Sequence, residues 1–151
     1  MNYHNITKCD MLNGEGLRVV LWVAGCEHHC DGCQNPQTWS HNSGIEFNEG
    51  AKKEIFLELE KEYISGITFS GGDPLSKINR REILDLIKEI KIKFPNKNIW
   101  VYTGYLKEDV EKLKGFECID VLVDGKFVKK LFDSKLKWKG SSNQVIWKLK
   151  E

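Results

Sequence analysis

Residues 18–33 read Arg-Val-Val-Leu-Trp-Val-Ala-Gly-Cys-Glu-His-His-Cys-Asp-Gly-Cys (RVVLWVAGCEHHCDGC). The stretch Arg18 to Ala24 is β-branched and apolar, the composition of a strand buried on both faces of a parallel sheet. It runs directly into Gly25 and a cysteine cluster. Gly66 to Ser70 (GITFS), Asn98 to Thr103 (NIWVYT) and Ile119 to Val123 (IDVLV) repeat the strand pattern, and Gln144 to Leu149 gives a weaker fifth. Between them, Ile55, Phe56, Leu59 and Tyr63 in the segment Gly50 to Tyr63 fall at helical spacing. So do Ile83, Leu84, Ile87, Ile90 and Phe94, ahead of the helix-ending Pro95. Leu106, Val110 and Leu113 mark the inward side of a short third helix.

Strand and helix alternating with short turns are the signature of right-handed β-α-β units. A closed eight-unit barrel takes about 250 residues. A chain of 151 residues without repeat or linker is therefore expected to form one α/β domain over 1–151: an open, incomplete (β/α) barrel of five to six units with a mostly parallel sheet. Ligands of such folds bind at the C-terminal edge of the sheet. Cys26, Gly71, Thr103 and Asp124 each follow a strand, so they are expected to converge there.

Lysine and arginine (23) nearly balance aspartate and glutamate (22), which gives no field favouring nucleic acid or an anionic membrane. Lysines thicken between Lys126 and Lys150, a pattern read as a solvated face beside buried Trp138 and Trp147. No apolar run approaches the roughly 20 residues that span a bilayer, and Met1 to Asp10 lacks the hydrophobic core of a secretory signal. The expectation is a cytoplasmic protein with neither nucleic-acid nor membrane partner. Five cysteines, an odd and unevenly spaced set, suit a reducing compartment and metal or redox chemistry rather than a disulfide framework.

Cys26, Cys30 and Cys33 form C-x3-C-x2-C. Three thiolates on one tight loop can hold three irons of a [4Fe–4S] cluster and leave the fourth open to a substrate. A plain electron carrier would need a fourth thiolate, available only from distant Cys9 or Cys118, which otherwise read as small buried hydrophobes. Zinc is the other option, with His28 or His29 completing a Cys3His set. Adjacent histidines on an exposed loop read as solvated, however, and are assigned no metal role. Ser70-Gly71-Gly72-Asp73-Pro74, after the second strand, is also good turn chemistry by itself.

The cysteine triplet after the first strand, followed by Gly71-Gly72-Asp73-Pro74 after the second, resembles the radical S-adenosylmethionine (SAM) superfamily. Within it the chain resembles the activating enzymes of anaerobic (class III) ribonucleotide reductases over nearly its whole length. The residues carrying this are Asn13 to Arg18, Gly25-Cys26, Cys33-Gln34-Asn35-Pro36, Thr38-Trp39, Tyr102 to Tyr105, Val123 to Phe127 and Lys139 to Gln144. The resemblance implies that Cys26, Cys30 and Cys33 ligate a catalytic [4Fe–4S] cluster whose open iron is chelated by SAM. A flavodoxin-like donor would supply the electron that splits SAM into methionine and a 5′-deoxyadenosyl radical. That radical would abstract hydrogen from a glycine of the partner, the large subunit of the anaerobic reductase. Activases of other glycyl radical enzymes, such as pyruvate formate-lyase, share this chemistry; the short length and Gly32 favour the reductase.

Further roles follow from the same resemblance. Gly71, Gly72 and Asp73 would face SAM, the glycines letting carbonyls approach its amino group. Thr103 either hydrogen-bonds SAM or caps a helix. Lys126 pairs with the SAM carboxylate, with Asp124 fixing that lysine or accepting a ribose hydroxyl; the alternative is an Asp-Gly turn beside an exposed lysine. Asn35 braces the cluster loop or simply opens the Asn-Pro turn. Trp39 and Trp100 shield the site or belong to the core. Many superfamily members carry an adenine-packing aromatic residue where this chain has Gly32, and Val145 and Ile146 are candidate substitutes only for the superfamily's later adenine-contacting motif on the fifth strand. Arg18, at the far end of its strand, receives no role. A protein substrate also requires a lateral opening, and a C-terminal segment sealing the cysteines would contradict it.

Overall fold

The structure is a computed structural model and describes residues 1–33 and 35–150; Gln34, quoted above, lies outside the described residues. Seven strands form one open sheet in the order β3-β1-β2-β4-β5-β6-β7. They are β1 (Asn2–Asp10), β2 (Arg18–Val23), β3 (Ile45–Glu46), β4 (Gly66–Gly71), β5 (Asn98–Tyr102), β6 (Val121–Asp124) and β7 (Val145–Lys148). Helices α1 (Glu49–Leu59), α2 (Arg80–Lys93) and α3 (Lys107–Val110) lie between β3 and β4, β4 and β5, and β5 and β6.

The α/β class and the open sheet agree with the sequence expectation, but the unit count does not. Strands β2, β4, β5 and β6 pair in parallel, while β1, β3 and β7 add antiparallel edges, so the sheet is mixed. A parallel neighbour needs a crossover, usually helical. The chain returns from β6 to β7 without an α-helix, and β7 therefore runs antiparallel. Strand β1 gave no sequence signal because only Ile6 within it is buried. It is held from the side, by its ladder to β2 and by Trp22 Nε1 donating to Thr7 Oγ1 at 2.6 Å.

Alternation along the central strands gives the sheet two unlike faces. Val19, Leu21, Val23, Ile67, Phe69, Ile99, Val101 and Leu122 share one core with Ile55 and Leu59 of α1 and Ile83, Leu84, Ile87 and Ile90 of α2. Each such fully buried side chain contributes about 1.5–3 kcal/mol. Asn48 Oδ1 caps α1 by accepting from Ala51 N at 3.0 Å. That helix ends at Leu59, short of the expected Tyr63, which is exposed in the turn between Lys61 and Ile64. Leu106 likewise stands exposed at the N-terminus of α3, where only Val110 is buried.

The opposite face is polar at one end and aromatic at the other. Arg18 is fully buried there and donates to Thr68 Oγ1 (2.8 Å), Glu15 O (2.8 Å), Ile67 O (2.9 Å) and Asn98 O (3.1 Å). Its guanidinium lies 5.4 Å from the Trp100 ring centroid. Desolvation lowers its pKa to about 10, only partly offset by Tyr102 and acidic neighbours, which still leaves it charged at neutral pH. Arg18 thus ties β2, β4 and β5 together at their N-terminal ends. Trp100 joins Val121, Val123, Tyr102, Trp138 and Ile146 in a second cluster on this face, so it is core.

Replacing Arg18 by methionine keeps the volume but strands these carbonyls without a donor. We expect a loss of about 2–4 kcal/mol in urea unfolding of the apoprotein.

Candidate metal centre

The cysteine loop begins where β2 stops. Gly25 N donates to Thr38 O (2.6 Å), Cys26 N to Trp39 O (3.0 Å) and Cys33 N to Cys30 O (3.1 Å), folding the loop onto the short 3-10 turn Pro36–Thr38. Asn35 braces the loop through its backbone: its N–H points at Cys33 Sγ (3.3 Å) and its carbonyl accepts from Thr38 Oγ1 (2.6 Å). Cys26, Cys30 and Cys33 are all half-buried and line one cavity of about 500 Å³. Burial pushes the Cys26 thiol up to about 11, against a backbone hydrogen bond from His28 that pulls it down. It therefore holds its proton at neutral pH, and a metal bound there would have to displace it.

Residues 71–73 sit against this loop. Val23 pairs with Gly71, and the pairing runs on past the strands: Gly72 N donates to Val23 O (2.9 Å) and Asp73 N to Gly25 O (2.7 Å). A Cβ on Gly72 would lie 2.5 Å from Gly25 O, and one on Gly71, at φ +101°, 2.6 Å from Val23 N. The glycines thus serve the approach of strand to loop, and both also border the cavity. Asp73 is buried and fully engaged. Its Oδ1 accepts from Leu75 N (2.8 Å) and Thr103 Oγ1 (2.9 Å), and its Oδ2 from Gly104 N (2.9 Å), with His28 Nε2 at 2.6 Å. Thr103 in turn accepts from Tyr105 N (3.2 Å). Both side chains border the cavity, but their polar atoms already serve the protein.

Lys126 is exposed at the cavity rim. Asp124 is not with it. Its carboxylate is buried and accepts from Lys107 N (2.7 Å) at the start of α3, which answers an unpaired helix N–H and leaves Lys126 without it. Gln144, unassigned from sequence, fastens the rim: Nε2 donates to Gly125 O (2.9 Å) while Oε1 accepts from Gly140 N (2.9 Å) and Ser141 N (3.1 Å). Asn143 Nδ2 adds a bond to Lys126 O at 2.9 Å. Phe127, Phe132, Leu136 and Trp138 line the cavity from this segment, yet the cysteines stay half-exposed beneath it, so they are not sealed. Val145 is exposed and Ile146 packs on Trp100; neither borders the cavity.

The other candidate ligands are elsewhere. Cys9, expected to be buried, is exposed on β1, the outlying antiparallel strand, and Cys118 packs against the helix-side core. His29 stacks on Trp39 with ring centroids 4.5 Å apart. Among the described residues no three Cys, His, Asp or Glu side chains converge as ligands of one ion do. A [4Fe–4S] cluster instead takes one thiolate per iron around its periphery, and three cavity-facing thiols without a fourth suit a cluster with one iron left open.

A family model described as a 4Fe-4S single cluster domain matches residues 12–147. The anaerobic ribonucleoside-triphosphate reductase-activating protein of Enterobacteria phage T4 is 48% identical over 147 residues, covering 97% of this chain and 94% of its own. The proteins of that name from Escherichia coli K12 and Haemophilus influenzae are 44% and 40% identical over 154 residues, covering 99% of this chain and 100% and 99% of theirs. The chain belongs to the anaerobic ribonucleoside-triphosphate reductase-activating protein family. In this member of the family the loop–strand contact at Gly72 leaves no room for a Cβ, which would lie 2.5 Å from a backbone carbonyl oxygen. Gly72→Ala is expected to destabilise the apoprotein by about 1–3 kcal/mol in denaturant unfolding and to lower iron uptake on anaerobic reconstitution.

Proposed function

We propose that this chain is a single-domain radical SAM activase. It reductively cleaves SAM at a [4Fe–4S] cluster held by Cys26, Cys30 and Cys33, and generates a glycyl radical on the large subunit of the anaerobic ribonucleoside-triphosphate reductase. The observation that carries this reading is the cavity. Three thiols from one loop line it beside the Ser70–Gly72 strand end, in a chain similar over 97% of its length to a reductase-activating protein.

Once bound, the cluster supplies the electron that splits the sulfonium of SAM into methionine and the 5′-deoxyadenosyl radical that takes hydrogen from a glycine Cα. The chain's residues bind and shelter. Lys126 stands at the rim as a cation for the SAM carboxylate, and Ser70, Gly71 and Gly72 line the cavity as the place for its amino group. Trp22, Tyr102, Phe127 and Trp138 line the remaining wall and exclude water from a reactive radical. Asp73 and Thr103 support this site from behind. The half-exposed cysteines leave an approach for the glycine-bearing segment and for a flavodoxin-like donor. The clustered cysteines suit work in a reducing cytoplasm; no helix among the described residues is long and apolar enough to cross a membrane.

The test is anaerobic reconstitution with iron and sulfide, reduction, and electron paramagnetic resonance with and without SAM. A [4Fe–4S] signal whose g-values move on SAM addition, followed by a glycyl radical signal on adding the reductase, is expected. Cys→Ala at 26, 30 or 33 should abolish both. A cluster spectrum indifferent to SAM, or zinc in place of iron, overturns the reading.

A further inference from the structure

His28 leaves the cysteine loop between Cys26 and Cys30 and turns inward, its side chain only 6% exposed. Nε2 lies 2.6 Å from Asp73 Oδ2. The other partners of that carboxylate, from Leu75, Thr103 and Gly104, are all donors, so it accepts from Nε2–H as well. The ring meets Tyr105 edge-on at 4.6 Å between centroids and lies directly over Gly104, where a Cβ would collide with it. A solvated loop histidine has none of these features. One ring thereby joins three segments distant in sequence: the cysteine loop, the turn after β4 and the end of β5.

We propose that His28 is a positioning residue for the iron–sulfur centre, its bond to Asp73 setting Cys26 and Cys30 against the glycine-rich turn. This rests on the cluster-and-SAM reading above. The bond fixes the cluster's placement relative to the strand end that receives SAM. Asp73 acts through His28 on the loop.

The experiment compares wild type with His28→Phe, which keeps a packed ring but no donor, and His28→Gln, whose amide nitrogen reaches about as far as Nε2. Each is purified without its cluster, checked for its thermal unfolding temperature, reconstituted anaerobically and assayed for iron and sulfide. The reduced spectra are then recorded with and without SAM. His28→Phe is expected to unfold within a few degrees of wild type, to hold at most half the iron and sulfide, and to show a diminished g-value shift with SAM. His28→Gln is expected to recover most of both. Wild-type loading and shift in His28→Phe, or a His28→Gln as deficient as His28→Phe, overturn the proposal. If His28→Phe does not fold, His28→Ala replaces it under the same criteria, and failure of both to fold also overturns it. A wild-type protein that takes up no cluster defeats the functional reading itself, a result distinct from these.

Discussion

Backbone pairing that continues past the ends of β2 and β4 is the constraint on which the rest of the centre depends. Gly72 N to Val23 O and Asp73 N to Gly25 O extend the parallel ladder into what would otherwise be two independent loops. Side chains at 71 or 72 would drive the strands apart at this point. Because the ladder persists, the cysteine loop departs from a fixed place, and the Asp73 carboxylate comes within reach of both that loop and the end of β5. Asn79 Nδ2 adds a buried bond to Ala24 O at 2.8 Å, anchoring the start of α2 to the same corner. The thiols are thus carried on a loop whose two neighbours are rigid elements, the arrangement a precisely placed cofactor requires.

The division of labour between the two sheet faces explains how so small a chain carries both a core and a cavity. The aliphatic core lies on the face that α1 and α2 cover. The other face is free to hold Arg18, Thr68 and an aromatic wall, with the segment from Lys126 to Gln144 folded over it. A buried guanidinium carries a desolvation cost, which its bonds to carbonyl and hydroxyl oxygens offset here. Its placement makes sense as a bolt: carbonyls of β4 and β5 and of the loop before β2 share one donor, and Trp100 is pressed against its plane.

The strands and helices that form the helix-covered core were legible because their side chains carry the pattern themselves. Val19, Leu21, Ile67 and Ile99 alternate, and Ile83, Leu84, Ile87 and Ile90 recur at the helical period. The cysteine loop was legible for a similar reason, since three thiols in eight residues need no partner to be noticed. What escaped were polar residues whose meaning lies in a distant partner. Asp124 reads as part of a ligand pair until Lys107 N is seen upon it, and His28 reads as solvated until Asp73, 45 residues away, receives it. Arg18 falls in the same class, with partners 49 and 80 residues on. Strand β1 was hidden for the opposite reason: held by backbone ladders and by a single buried side chain, it has no hydrophobic pattern to show.

This separation bears on how the centre and the fold are coupled. In small metal-dependent domains the metal supplies the folding free energy, and the apoprotein is unfolded. Here the aliphatic core is complete without any contribution from Cys26, Cys30 or Cys33, which line the cavity instead. A cluster held on this loop would therefore deprotonate its thiols without having to fold the chain. Desolvation holds the Cys26 thiol in its neutral form at neutral pH, which spares the loop a buried thiolate. The loop is anchored at one end by the ladder, in its middle by His28 and after Cys33 by Asn35, so little backbone freedom remains to be lost when the cluster arrives. A scaffold organised in this way keeps the geometry of the site in the protein and leaves only the electron chemistry to the cofactor.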